Sequence, residues 1–213
     1  MRIGGLPTPL QDRSEAGEGA TVRYAYRASL VGSAHQFELT DRGLSWRIAG
    51  RSGVWNYADI SAVKLSYRPV SMQRQRFRAD IDNAKGGRIA ILSTSWQTAT
   101  LVAPQGDLYR DFIVALHRRM QAAGSRAVLT GGLGPKTYTA ALALLACLAV
   151  AMLGLLLRAL LTANWTGALF LVGFAALFAW QVGGFLTRNR PRRYGFDQLP
   201  DALLPPAIKS NET

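Results

Sequence analysis

Arginine side chains cluster at two places in the chain, and grouped guanidinium ions suit the recognition of phosphate or carboxylate groups. Four fall within six positions, directly after an almost purely apolar stretch: Arg188, Arg190, Arg192 and Arg193. A second group of four lies in "YRPVSMQRQRFR", with no acid among them: Arg68, Arg74, Arg76 and Arg78. Nucleic acid, anionic lipid and an acidic protein are all ligands for such clusters, so the surrounding elements have to decide between them.

Other motifs give weaker indications of chemistry. The segment "GGLGPKT" (131–137) has Pro135 where a phosphate-binding loop needs glycine, so we interpret it as part of a linker. Asp80 and Asp82 share one side of a strand and are interpreted as solvated charges rather than cation ligands. The single cysteine, Cys147, and the two histidines show no metal-site spacing. We therefore predict no metal, no cofactor and no enzymatic activity.

The charges of the chain are unevenly distributed. Residues 139–187 contain one charged side chain, Arg158, whereas all 13 acids and the other 24 of the 25 basic residues lie outside. The apolar segments 138–157 and 165–186 each hold about 20 residues, enough for a helix to cross about 30 Å of hydrocarbon. Neither has the polar face that a core helix presents to water. We predict two transmembrane helices, antiparallel neighbours joined by the short segment 158–164.

The placement of basic residues predicts the orientation of this hairpin. Arg118, Arg119, Arg126 and Lys136 precede the first helix and the cluster at 188–193 follows the second, whereas the connecting segment has only Arg158. Lysine and arginine concentrate on the cytoplasmic side of membrane segments. The sequence thus predicts cytoplasmic N- and C-termini, with the lipid bilayer as a partner. Because topology accounts for the cluster, no nucleic-acid partner is expected, and headgroup contact is worth about 1 kcal/mol per arginine.

Small residues recur every four positions in both apolar segments, and such residues let membrane helices approach closely. Folded about residue 163, the two series fall opposite each other. We predict that the hairpin packs through six residues: Ala143, Cys147, Ala151, Ala175, Ala179 and Gly183.

The part of the chain before the hairpin alternates repeatedly with period two. In "LSWRI", for example, Leu44, Trp46 and Ile48 share one side. Seven or eight short strands are expected between residues 22 and 102, which favours an antiparallel sandwich or barrel. The period then changes to three and four over 104–124, which predicts one amphipathic helix. Residues 1–21 lack a long apolar run and are expected to form a disordered leader.

The segments "FELTDRGLSW", "VWNYADISAVKL" and "YRDFIVALHRRM" resemble bacterial pleckstrin-homology-like (PH-like) domains. The Y-x-D-I-x-x-V pattern of that resemblance falls on Tyr57, Asp59, Ile60 and Val63. The resemblance implies an all-β PH-like barrel over residues 22–124, capped by one C-terminal α-helix and joined to the transmembrane hairpin. It supplies no catalytic residue. PH-like folds often bind ligands through loops between strands, which makes the basic loop 68–78 a candidate for an anionic partner.

The predicted organisation is completed by a linker at 125–137 and a basic, proline-containing cytoplasmic tail at 187–213. Within the tail, "YGFDQLPDALLPP" either packs on the barrel or on a partner, or stays disordered. The predicted function is a bacterial inner-membrane interaction module: a scaffold or accessory subunit whose partner is another membrane or cytoplasmic protein. One alternative is a sensor of anionic lipid headgroups through loop 68–78. A weaker one is a small oligomeric channel or transport component.

Overall fold

The computed structural model describes residues 21–29, 32–68, 76–96 and 102–206. The predicted leader lies outside these ranges except for its last residue, as do Arg74 and the end of the predicted tail. Within the described ranges, a β-rich N-terminal region is followed by two long apolar helices.

The first sheet has four antiparallel strands in chain order: β1 (Val22–Tyr26), β2 (His35–Thr40), β3 (Gly43–Ile48) and β4 (Arg51–Trp55). The predicted alternation is confirmed, since Tyr24, Tyr26, Phe37 and Leu39 are all buried on one face. At the β2–β3 turn, Gly43 has a φ of +143°, and a side chain there would strike the backbone of Trp55. Glycine is therefore required at this turn.

A second antiparallel group consists of β5 (Ile60–Tyr67), β6 (Phe77–Asn83) and β7 (Arg88–Leu92). A short 3-10 turn, Tyr57–Asp59, leads into β5. Two further strands, β8 (Thr94–Trp96) and β9 (Val102–Pro104), pair only with each other in the described ranges.

The predicted amphipathic helix is confirmed as α1 (Gly106–Ala122). Its buried apolar side chains recur at spacings of three and four: Tyr109, Phe112, Ile113, Leu116 and Met120. The rings of Tyr109 and Phe112 contact Tyr24 of β1 with centroid distances of 6.1 and 5.7 Å. Residues of both sheets and of α1 thus share one hydrophobic core.

The strands form separate sheets, and no closed barrel is found among the described residues. Strands β1 and β7 are instead bridged by side chains. The hydroxyls of Tyr24 and Tyr26 donate to the carbonyl oxygens of Leu92 and Ala90 at 2.5 and 2.7 Å. Because these bonds replace a backbone ladder, the β-rich, helix-capped arrangement is confirmed but barrel closure is not.

The segments on either side of the apolar helices also belong to the β-rich domain. Strand β10 (Val128–Gly131) lies in the predicted linker and pairs in parallel with β5. Strand β11 (Arg192–Arg193), in the predicted tail, pairs antiparallel with β10. The second sheet therefore has the order β11-β10-β5-β6-β7. Strands of four and two residues are too short for period-two alternation to indicate, so the sequence predicted a linker and a tail instead.

The two apolar helices are α2 (Pro135–Leu161) and α3 (Trp165–Arg188). Their most apolar windows have mean hydropathies of 2.7 and 1.9, with 0% and 6% of the window buried. Both helices are longer than the predicted 138–157 and 165–186. The first helix begins at Pro135, because proline is well suited to the first helical turn. Asn164 caps the start of α3, since its Oδ1 accepts from Gly167 N at 3.0 Å. Both helices are long and apolar enough to cross a membrane.

The hairpin contact differs from the predicted small-residue contact. Of the six predicted residues, four are exposed: Ala143, Cys147, Ala151 and Ala179. Ala175 and Gly183 are partly exposed, and a side chain at Gly183 would meet nothing within 4 Å. Partly or fully covered positions follow spacings of three and four: Tyr138, Ala141, Leu145, Met152 and Leu156 on α2, and Ala168, Leu171, Ala175, Phe178 and Val182 on α3. The covered positions thus combine alanines with larger side chains, rather than the small residues alone that the sequence predicted.

Candidate functional site at the junction of sheet and helices

Asn189 marks the end of α3 and is completely buried. Its Oδ1 accepts a hydrogen bond from the Tyr67 backbone N–H at 3.0 Å, and its Nδ2 donates to the Tyr67 carbonyl oxygen at 2.9 Å. Nδ2 also donates to the carbonyl oxygen of Phe185, one turn earlier in α3, at 3.2 Å. The side-chain amide thus pairs with the end of β5 as a neighbouring strand would. The end of α3 is thereby fixed to the sheet.

The turn between β10 and α2 meets the same place. Gly132 N donates to the Leu65 carbonyl oxygen at 2.8 Å, and Leu133 N donates to the Asn189 carbonyl oxygen at 2.9 Å. Gly132 has a φ of +86°, and a side chain there would clash with the carbonyl oxygens of Asn189 and Arg190. Glycine alone fits this close approach. The start of α2 and the end of α3 therefore lie together at one end of β5.

A shallow pocket of about 350 Å³ lies at this junction, which we call the junction pocket. Its lining comes from β5, from the turn before α2 and from the end of α3: Ser66, Tyr67, Arg68, Leu133, Phe185 and Asn189. Ser66 is only 3% exposed, and its hydroxyl has no hydrogen-bond partner. The pocket thus combines an unsatisfied buried hydroxyl with an exposed arginine, Arg68.

Basic side chains surround the junction pocket. The Arg188 guanidinium lies 5.0 Å from the ring centre of Tyr67, a cation–π arrangement. The Lys64 ammonium reaches Gly134, the residue before α2. Lys136 and Arg190 are exposed nearby along the chain. Across the described ranges, none of these cations forms an ion pair.

The remaining arginines of the cluster at 188–193 lie along the sheet. Arg193 is exposed on β11, opposite Thr130 of β10. The Arg192 side chain is half-buried against Gly131, and its guanidinium donates to the Arg188 carbonyl oxygen at 3.5 Å. The cluster is therefore split between the junction and the sheet edge, a division that the sequence spacing did not indicate.

The described arginines of the predicted basic loop have different partners. Arg78 is bound to Asp80, with Nε 2.9 Å from Oδ1, and this hydrogen bond raises the pKa of the arginine. Arg76 Nε donates to Thr94 Oγ1 at 3.2 Å. Arg74 lies outside the described residues, and Arg68 lines the junction pocket. Arg76 and Arg78 thus already have polar side-chain partners within the sheet.

The acidic residues near the loop pair with arginines of the same sheet. Asp80 binds Arg78, and Asp82 accepts from the Arg88 guanidinium at 2.9 Å. Among the described residues, no group of three or more His, Cys, Asp or Glu side chains is placed to hold a metal ion.

The segment after α3 packs along α1. His117 is 1% exposed, with Nδ1 2.7 Å from the Ile113 carbonyl oxygen and Nε2 3.1 Å from the Tyr194 hydroxyl. Burial lowers the pKa of His117, which favours the neutral ring. Since a carbonyl can only accept, Nδ1 carries the proton and Nε2 accepts from Tyr194. The contact between His117 and Tyr194 was not predicted from the sequence.

Further contacts continue to residue 205. The Arg110 guanidinium donates to Asp201 at 2.6 Å and to the Pro205 carbonyl oxygen at 2.7 Å. Leu203 and Leu204 are 0% and 2% exposed in the shared core. Of the outcomes left open for this segment, the structure shows packing on the β-rich domain. The signal in the sequence was the series of apolar residues between prolines.

The residues that carry the PH-like resemblance have structural roles. Tyr57 is buried, and its hydroxyl donates to the Thr40 carbonyl oxygen at 2.8 Å. Ile60 and Val63 lie in the core, whereas Asp59 accepts from the Lys85 ammonium at 2.7 Å. The motif thus stabilises the connection between the two sheets.

Comparison of the chain with protein-family models, with curated proteins and with solved structures finds no match.

Proposed function

We propose that the chain is a membrane-anchored interaction module, a scaffold or accessory subunit that holds its β-rich domain at the bilayer surface in a fixed orientation. One observation carries this proposal: the chain leaves the domain through α2 and returns through α3 to complete the same domain. Strand β10, before the hairpin, pairs with β11, after it, with Thr130 opposite Arg193 and Gly131 opposite Arg192.

Rigid attachment distinguishes this arrangement from a domain tethered by a flexible linker. The Asn189 side chain binds Tyr67 from the helix end, and Leu133 binds the Asn189 carbonyl from the other side of the hairpin. A partner that contacts the β-rich domain would therefore meet it at a set height and angle above the bilayer. Such positioning is useful to a scaffold, because it removes orientational freedom before binding occurs.

The pairing of β10 with β11 supports the predicted topology, because it holds both ends of the hairpin on one side of the bilayer. The excess of lysine and arginine at those ends favours the cytoplasmic side. The bacterial inner membrane and the PH-like identity of the domain rest on the sequence resemblance.

No observation favours either alternative function predicted from the sequence, the lipid sensor in loop 68–78 or the channel. For a lipid sensor in loop 68–78, Arg76 and Arg78 are already bound to Thr94 and Asp80. For a channel, charged side chains are sparse in α2 and α3, with Arg158 in the last turn of α2.

The anchoring can be tested by removing the hairpin. Because Leu133 N and the Asn189 carbonyl oxygen are 2.9 Å apart, a short Gly-Ser turn can replace residues 135–188. We expect the full chain to stay in the membrane pellet after an alkaline wash and the hairpin-less variant to be soluble and folded. Release of the full chain, or a hairpin-less variant that stays with the membrane, would contradict the anchoring role.

The interaction role is tested by competition. The tagged full chain is purified in mild detergent beside a hairpin-only control carrying residues 133–190, and the proteins retained only by the full chain are identified. Purified hairpin-less variant is then added in excess. We expect it to displace these proteins, because it carries the same surface. If nothing is retained beyond the hairpin-only control, the scaffold function is rejected.

A further inference from the structure

We propose that the junction pocket binds the phosphate group of an anionic phospholipid. This inference rests on the membrane crossing in the proposed function and adds a specific ligand site to it. The pocket shares Arg68 with the loop at 68–78, and its other lining residues lie outside that loop.

The buried hydroxyl of Ser66 is the first observation. Leaving a buried polar group without a partner costs about 1–3 kcal/mol, so such groups are normally satisfied. Ser66 is 3% exposed, lines the pocket and has no partner for its hydroxyl. A phosphate oxygen in the pocket would accept a hydrogen bond from this hydroxyl.

The charge around the pocket is the second observation. Arg68 lines it, Arg188 lies over the neighbouring ring of Tyr67, and Lys64 reaches the residue before α2. The nearest acid along the sheet is Asp80, opposite Lys64, and its carboxylate is already bonded to Arg78. The site is therefore positive and suits a ligand with negative charge.

The start of α2 adds to the positive electrostatic potential of the pocket. Gly134, the N-cap residue, has no side chain to accept hydrogen bonds from the first-turn N–H groups of this 27-residue helix. Helix N-termini attract phosphate through these N–H groups and the helix dipole. Leu133, directly before Gly134, lines the pocket, which places the helix start beside the ligand.

The position of the pocket points to a lipid rather than a free phosphate. It lies where α2 begins and α3 ends, the level at which phospholipid headgroups meet protein in a bilayer. Its apolar lining, Leu133 and Phe185, leads onto the exposed apolar faces of the helices. Acyl chains would lie along these faces while the phosphate occupies the polar end. A free phosphate has no group to match the apolar lining.

The test measures phosphatidylglycerol bound to the full chain in phosphatidylcholine nanodiscs, using a fluorescent phosphatidylglycerol displaced by unlabelled lipid. The variants are Ser66→Ala, Arg68→Gln and Arg188→Gln. Arg47→Gln and Arg51→Gln, both exposed on the other sheet, are controls with the same charge change as the two arginine variants. We expect each pocket variant to bind about tenfold more weakly, in line with loss of one hydrogen bond to a charged group. The controls should bind as the wild type does.

Three outcomes would overturn the inference. The pocket variants could bind as tightly as the wild type, or the control variants could lose as much affinity as Arg68→Gln, which indicates only diffuse charge. Inorganic phosphate alone could protect the detergent-solubilised chain as well as phosphatidylglycerol does, which indicates a free-anion site. Thermal unfolding of each variant separates loss of binding from loss of folding. A chain that stays in the membrane pellet while failing these tests retains the proposed function and loses only the lipid site.

Discussion

The side-chain amide of Asn189 is hydrogen-bonded to both the N–H and the C=O of Tyr67, 122 residues earlier in the chain. This pair joins the last residue of the helical hairpin to the end of a central strand. Because both Tyr67 groups point away from β6, the amide satisfies polar groups that the domain would otherwise leave open. The orientation of the domain on its hairpin depends on this pair.

Substitution Asn189→Ala removes three hydrogen bonds and leaves the Tyr67 backbone groups without their partner. We expect a destabilisation of the junction by about 1–3 kcal/mol, the cost of unsatisfied buried groups. Hydrogen–deuterium exchange of the full chain in detergent should show faster exchange at the amides of Tyr67 and Leu133. The neighbouring exposed variant Arg190→Ala serves as a control. Equal protection in the two variants would contradict the role given to Asn189.

Substitution Gly132→Ala tests the close approach of the β10–α2 turn. An alanine there has both a left-handed φ and a clash with the carbonyl oxygens of Asn189 and Arg190. Gly86→Ala is the matched control, because its φ is +91° and a side chain there meets nothing within 4 Å. The control should lose only about 1–2 kcal/mol for the left-handed backbone. Gly132→Ala should lower the thermal midpoint more than Gly86→Ala does. Similar midpoints for the two variants would show that a side chain at position 132 does not clash with the backbone of Asn189 and Arg190.

Substitution Leu203→Ala tests whether the segment after α3 is part of the core. The side chain is 0% exposed, so its truncation should cost about 2–5 kcal/mol. Leu108→Ala is the control, since Leu108 is 61% exposed on α1 and should change stability by less than about 0.5 kcal/mol. The measurement is denaturant unfolding of the full chain in detergent. A Leu203→Ala midpoint equal to that of Leu108→Ala would place the segment outside the core.

Acid should weaken the contact between His117 and Tyr194. Burial lowers the pKa of His117 in the folded chain below its ordinary value of 6.5. Its contribution to stability is therefore fully present above pH 6.5 and is lost as the pH falls toward the folded-state pKa. The thermal midpoint should fall between about pH 7 and pH 5, and less steeply in His117→Gln.

The pKa of His35 is also lowered by burial. The variant His35→Gln therefore measures how much His35 contributes to the fall of the thermal midpoint with pH. Unfolding curves of His117→Gln and wild type that fall in parallel with pH would contradict a neutral, buried His117.

The sequence was informative where long periodic patterns decide the structure. The alternation around Leu44, the three-and-four spacing of α1 and the length of the apolar segments all gave the correct element type, because burial of one face fixes such patterns. The junction is different. A single buried amide at Asn189 and a glycine at 132 leave no periodic signal, and their partners lie far away in the chain.

The strands within segments 125–137 and 187–213 were also not predictable from the sequence pattern. The strand Val128–Gly131 is stable because it pairs with β5, and Arg192–Arg193 because it pairs in turn with Val128–Gly131. Short strands depend on such tertiary partners rather than on local preference. The basic character of Arg192 and Arg193 further suggested a solvated tail, although their backbone groups complete the sheet.

The most direct test of the account is a disulfide between residues 130 and 193, which face each other across β10 and β11. Directly paired antiparallel residues have Cα atoms about 4.5–5.5 Å apart, within the range a disulfide requires. The variant carries Thr130→Cys and Arg193→Cys in a Cys147→Ser background and is oxidised in lipid vesicles. A second variant, with Ser52→Cys on β4 in place of Thr130→Cys, is the control. We expect an intramolecular disulfide in the first variant and none in the control. Free thiols in the first variant, reactive toward maleimide after oxidation, would show that the chain does not return to the domain it left.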